Sequence, residues 1–143
     1  MRLLNYTSWK RGDLSRFLKA GLKAKGADHS QYVIAVTPSA KRRDYEDAKR
    51  RGAERWVGKD GKALHGYAYL QRMWSVWILG KKHYVRNKYF IRLFLPNGEF
   101  DLVKCAQLLE HEIDHSFGLN HKDMMKSDDL KVEWCKGLTL TTT

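Results

Sequence analysis

The apolar positions of the chain fall into three kinds of pattern. Tyr32-Val33-Ile34-Ala35-Val36-Thr37 is a continuous, β-branched run closed by Pro38, which predicts a buried strand. Ahead of it, Leu14, Phe17, Leu18, Gly21 and Leu22 recur at helical spacing with Lys and Arg between them. That spacing predicts an amphipathic helix with Asp13 as its N-cap, running to about Gly26. Residues 2–6 have strand character, so the chain opens as strand, helix, strand, the order of a βαβ unit.

Further on, residues 39–58 are mostly charged, and a short helix or an exposed excursion fits them equally well. Lys59-Asp60-Gly61-Lys62 is a turn signal, after which Ala63 to Leu70 and Trp74 to Leu79 read as two strands. Tyr89 to Leu95 is the last strand, closed by Pro96-Asn97-Gly98. Between the last two strands, residues 81–88 read as a basic and aromatic loop. Asp101 then caps a helix on which Leu102, Cys105, Ala106, Leu109, Ile113 and Phe117 gather on one face at about 100° per residue. His111 and His115 fall nearly opposite, beside Lys104 and Leu108, so this helix is expected to rest on a sheet and turn its histidines to a cleft.

At 143 residues with 43% hydrophobic content, the chain fits one domain, residues 1–143, with one modest core. Its N-terminus is interrupted by polar residues and no run approaches membrane-spanning length, so an intracellular, cytoplasmic protein without a signal peptide or membrane association is expected. Cys105 and Cys135 are too few for a disulfide framework and are expected to be free thiols. Residues 1–100 carry 22 Lys+Arg against 8 Asp+Glu, a charge of +14, whereas residues 101–143 carry 5 against 8, or −3. A basic body calls for an anionic partner, nucleic acid being the commonest. Lys81, Lys82, Arg86 and Lys88 around Tyr84 and Tyr89 are the candidate contacts, with charge for phosphates and rings for unpaired bases.

The chemistry is concentrated in His111-Glu112-Ile113-Asp114-His115-Ser116-Phe117-Gly118-Leu119-Asn120-His121, which reads HExxHxxGxxH. Two imidazoles four residues apart on a helix project from the same side and reach one metal ion. Glu112, beside the first of them, is placed to take a proton from a water on that metal. Gly118 permits the positive φ that ends the helix and returns the chain, offering His121 as a third ligand. Three protein nitrogens leave one position open, the catalytic pattern of zinc. From this composition the five fixed residues would coincide by chance in roughly one such chain in 30,000.

The motif resembles that of the metzincin metalloproteases, HExxHxxGxxH followed by a methionine turn. The resemblance covers about a tenth of the chain. It implies one catalytic Zn2+ held by His111, His115 and His121, Glu112 as general base, and Gly118 as the turn. It also implies an α/β (α+β) fold with one zincin-like domain, a mixed, mostly parallel sheet backed by helices, and an active-site helix at about 101–117. Met124 and Met125 are the candidates for the methionine turn, although they follow His121 closely, and Lys122 after the last ligand is not a family-defining residue. No tyrosine follows His121 to assist the metal.

The leading expectation is therefore a zinc endopeptidase acting on protein or peptide, with a nucleic-acid-associated protease as a variant that accounts for the basic body. The alternative enzyme is a zinc endoribonuclease similar to those of ribosomal RNA maturation, which share the histidine spacing but typically lack glutamate after the first histidine. Glu112 favours peptide hydrolysis. A third class, a basic nucleic-acid-binding module with a residual metal site, would leave Glu112 idle. Trp134 is expected either to wall a pocket or to cap the core. His65 and His83 are read as structural or surface residues, and His29 carries no signal.

Overall fold

The computed structural model describes residues 1–51, 66–71, 75–84, 88–95, 101–119, 123–124 and 130–142, without the side chains of 71, 75, 76 and 82–84. Its elements run β1 (Arg2–Asn5), α1 (Arg11–Ala24), a short 3-10 turn (His29–Gln31), β2 (Tyr32–Thr37), α2 (Arg42–Arg50), β3 (Gly66–Gln71), β4 (Ser75–Ile78), β5 (Lys81–Tyr84), β6 (Lys88–Phe94) and α3 (Leu102–Ser116). One sheet has the order β1-β2-β6-β3. The first three of these strands are parallel, and β3 closes the edge antiparallel to β6 with Gly66 opposite Leu93. This is a small mixed α/β fold with a mostly parallel sheet.

Strand alternation divides the sheet into two unlike faces. Leu3, Tyr32, Ile34, Val36, Ile91 and Leu93 point to one side and meet Leu14, Phe17, Leu18 and Leu22 of α1 and Cys105, Ala106, Leu109 and Ile113 of α3. This is the main core, and each of its fully buried Leu, Ile or Phe side chains contributes about 1.5–3 kcal/mol by leaving water. On the other side, Val33, Ala35 and Phe90 form one small cluster, and Tyr67, Phe94 and Ala48 of α2 another. The reading of the α1 apolar positions is borne out, since all five are buried. Strand β2 occupies the residues read for it.

Several local expectations are corrected. Asp13 does not cap α1, which begins at Arg11 after Lys10; its carboxylate accepts hydrogen bonds from the backbone N–H and hydroxyl of Thr141, tying the C-terminal segment to the helix. Residues 81–88 are not one loop. Lys81–Tyr84 forms β5 and pairs antiparallel with β4. Leu79 and Gly80 both take positive φ at the tip, +52° and +75°, the two-residue geometry that matches strand twist. Lys88 already belongs to β6, and Tyr89 lies in that strand as read, with its ring 5.4 Å from that of Tyr32. Of the charged stretch 39–58, the part from Arg42 to Arg50 is helix, and 52–58 lies outside the described residues.

Cys105 and Cys135 are free and buried, Cys105 on α3, and burial pushes the Cys105 thiol up to about 12. No helix among the described residues is long and apolar enough to cross a membrane.

Candidate metal centre

Asp101 caps α3, its carboxylate accepting from the Lys104 N–H at 2.8 Å, as the sequence reading expects. Over its first half the helix is an ordinary amphipathic one, with Cys105, Ala106 and Leu109 buried against α1 and the sheet. In its second half the pattern changes. Glu110, His111, Glu112, Asp114 and Ser116 are all buried polar side chains. Buried polar groups are costly unless partnered, so such a cluster marks either a hydrogen-bonded network or a functional site.

Asp114 and Ser116 belong to the network. Asp114 forms an ion pair with Lys25 at 2.7 Å, joining α3 to the end of α1. Ser116 shares a hydrogen bond with the Tyr32 hydroxyl and donates to the Ile113 carbonyl, fixing the last turn of α3 to β2.

The histidines are arranged differently. The rings of His111 and His115 meet edge to face with centroids 4.7 Å apart, and their Nε2 atoms are 3.1 Å apart. Two nitrogens bound to one tetrahedral zinc at about 2.0–2.1 Å lie about 3.3–3.4 Å from each other, so the pair fits a shared metal ion. His115 Nδ1 is 3.0 Å from the Leu119 carbonyl. A carbonyl only accepts, so this contact calls for a proton on Nδ1, and in the neutral ring that leaves the lone pair on Nε2, the tautomer that binds a metal.

That carbonyl is in position because of how the helix stops. Gly118 takes φ +86°, the Gly118 N–H donates to the His115 carbonyl and the Leu119 N–H to the Asp114 carbonyl. These are the two bonds of a Schellman ending, which reverses the chain over the last turn. The turn inferred for Gly118 is therefore present. His121, the third expected ligand, lies outside the described residues, as do Lys122 and Met125. Among the described residues no three His, Cys, Asp or Glu side chains gather as a metal site.

Glu112 is 2% exposed, and its Oε2 has no hydrogen-bond partner among the described residues. Burial raises its pKa to about 8. A carboxyl held this way is destabilising unless it has work to do, and perturbed buried acids concentrate at reactive sites. It is enclosed by the first residue of β3. A Cβ placed on Gly66 would sit 3.1 Å from Glu112 Oε1 and 2.9 Å from the Arg92 carbonyl, so only glycine allows this approach. Sequence reading did not find Gly66, whose partnership with Glu112 spans 46 positions and leaves no local signal.

Two expectations about exposure are corrected. His111 is 4% exposed and so does not face an open cleft, because β3 packs along this side of α3. Phe117 is 48% exposed rather than buried, because it is the C-cap residue, beyond the last helical turn. With Ala68, Leu70, Tyr89, His115 and Gly118 it lines a cavity of about 520 Å³ between β3, β6 and the end of α3. The cavity thus opens from His115 along an edge strand that, among the described residues, pairs only with β6.

Trp134 caps the core rather than walling the cavity: its ring lies 5.2 Å from Phe17 and close over Gly21. His29 is on the surface beside the N-terminal amine. His65 and the His83 side chain are outside the described residues, and so are the Lys82 side chain and Arg86, while Lys81 is exposed and Lys88 half-buried. Compared with protein-family models, curated proteins and solved structures, the chain matches none.

Proposed function

We propose that the chain is a zinc-dependent endopeptidase of zincin-like fold, with His111, His115 and His121 as metal ligands and Glu112 as general base. The observation that carries the reading is the pair of imidazole nitrogens 3.1 Å apart, with a buried carboxyl on the intervening turn of the helix. Zinc, when bound, supplies a Lewis acid that polarises a carbonyl and acidifies a water.

The remaining steps belong to the chain's own residues. The Leu119 carbonyl orients His115 and favours the neutral tautomer whose lone pair is on Nε2. Glu112, next to the first histidine on the helix, accepts the proton of the attacking water as a carboxylate and passes it to the leaving amine. The edge of β3 that is unpaired among the described residues offers backbone N–H and C=O groups to an extended peptide, and the cavity beside His115 receives one of its side chains.

Metal analysis and peptide cleavage with Glu112→Gln and His121→Ala test the reading. Glu112→Gln should retain zinc and lose at least about two orders of magnitude in hydrolysis, the scale of a missing general base. His121→Ala should bind zinc more weakly. Hydrolysis by Glu112→Gln within a few fold of the unmutated protein would remove the mechanism, and undiminished zinc affinity in His121→Ala would remove the third ligand.

A further inference from the structure

On the sheet face away from the histidines, a groove of about 800 Å³ runs between α2 and strands β1, β2, β6 and β3. Its walls carry Lys41, Arg43, Arg50, Arg51 and Arg92 against only Asp44 and Asp47. The two acids are already engaged. Asp44 accepts from the Lys41 N–H at 2.8 Å, and Asp47 holds Arg50, Arg51 and the Tyr67 hydroxyl. Lys41, Arg43 and Arg92 make no ion pair with a described residue.

Two polar atoms make this more than a charged surface. Arg92 Nε and Thr37 Oγ1 are both buried without a hydrogen-bond partner among the described residues, and both residues line the groove. An unsatisfied guanidinium donor and an unsatisfied hydroxyl on residues that line one groove can each donate to a phosphate oxygen once their side chains turn toward it. Aromatic rings accompany them. Tyr69 and Phe90 stack at 4.9 Å on the sheet floor, Arg51 covers the Tyr69 ring at 4.2 Å, and Tyr6 at the rim is 60% exposed.

We propose that this groove binds a nucleic acid strand, with Arg92, Arg43 and Lys41 on its phosphates and Tyr6 stacking a base. Free phosphate offers the same anion without the base, and a mononucleotide offers one of each. The strand is preferred because the groove carries five cations against two acids, beside an exposed Tyr6 ring, and because residues 1–100 carry +14. The site is separate from the histidines, and the inference holds whether or not they support hydrolysis.

Anisotropy titration of a fluorescein-labelled oligothymidylate, at several salt concentrations, tests it. The unmutated protein should bind with an affinity that falls steeply with salt. Lys41→Ala/Arg43→Ala, both exposed positions, should weaken binding on the order of tenfold and reduce the logarithmic salt slope by about 0.7 per lost cation. Arg92→Gln should weaken it with an unchanged thermal melt, and Tyr6→Ala should weaken it without changing the slope.

Competition by mononucleotide as effective as by oligonucleotide would overturn the strand, and equal competition by inorganic phosphate would overturn the base contact as well. Absence of binding at low salt overturns the proposal, as does an unchanged slope in Lys41→Ala/Arg43→Ala. A slope flattened instead by Lys81→Ala/Lys82→Ala would place the strand on the β4–β5 hairpin and also overturn the groove.

Discussion

The two faces of one four-stranded sheet have been given opposite tasks. Against α1 and α3 lies a continuous core in which Leu14, Phe17, Leu18, Leu22, Ile34, Ile91, Leu93, Leu109 and Ile113 have no exposed surface. Against α2 lie two small clusters and a groove rimmed by cations. The same strands supply both, Ile91 and Leu93 of β6 pointing one way and Phe90 and Arg92 the other. Stability is concentrated on the first face. That is where a buried carboxyl such as Glu112, whose Oε2 has no hydrogen-bond partner among the described residues, can be carried, because the dense packing around it offsets the cost.

Removing a large side chain from each face should make the asymmetry measurable. Phe17→Ala, at a site with no exposure and packed on Trp134, should lose about 3–5 kcal/mol in urea unfolding. Phe90→Ala should lose about half of that, since Phe90 already borders an open groove and its removal creates less new cavity. Equal losses would show that the α2 face is packed as tightly as the other.

Glu112→Gln in the metal-free protein probes the cost carried by the packed face. The folded pKa of Glu112 is about 8, above its ordinary 4.5, so the folded state holds a proton the unfolded state releases. Stability from this group is complete below about 4.5 and declines as pH rises toward 8. The decline should amount to a few kcal/mol. Glu112→Gln, which cannot ionise, should remove that slope and be the more stable protein at pH 8. Parallel thermal melts across this range check the sign, and identical pH dependence would show that Glu112 is solvated.

Gly66→Ala acts at the contact between strand and helix. The added methyl meets the Glu112 carboxyl and the Arg92 carbonyl, so either β3 or α3 must shift. Overpacking of this kind should cost about 1–3 kcal/mol. It should also reduce peptide hydrolysis out of proportion to stability, because the group displaced is the proposed base. A variant with unchanged melt and unchanged rate would mean that the approach of Gly66 to Glu112 is looser than 3.1 Å.

What sequence reading recovers and what it misses divide along the same physical line. Local patterns survive: the apolar spacing of α1, the β-branched run of β2, and the Asp101 cap and Gly118 reversal that bound α3. Each is specified by residues within a turn or two of one another. The edge strand itself is legible within Ala63 to Leu70, but its antiparallel pairing is not, because the register joins Gly66 to Leu93 across 27 positions. Strand β5 was missed because Lys81-Lys82-His83-Tyr84 has no apolar alternation and depends on the Leu79-Gly80 turn. His111 and Glu112 could be named from their spacing, but not their burial, which β3 imposes from outside the helix. The buried Thr37 Oγ1 and Arg92 Nε, without partners among the described residues, lie on two different strands and have no sequence signature.

The smallest effect concerns Asp47, the acid that restrains two cations of the groove. Burial alone would raise its pKa, but hydrogen bonds from Arg50, Tyr67 and Arg51 outweigh it and hold the carboxyl below the ordinary 3.8. An acid with a depressed folded pKa stabilises above its unfolded value and loses that contribution as pH falls through the folded one. Asp47→Asn should therefore be slightly less stable at neutral pH, by about 1 kcal/mol or less after solvent screening. The difference from the unmutated protein should close as the pH falls below 3.8. The same substitution removes a negative charge from the groove and releases Arg50 and Arg51 toward an incoming phosphate. It should accordingly tighten oligothymidylate binding and steepen its salt dependence, the opposite of Lys41→Ala/Arg43→Ala. Weaker binding by Asp47→Asn with its fold intact would mean that Asp47 positions these arginines for the strand instead of competing with it.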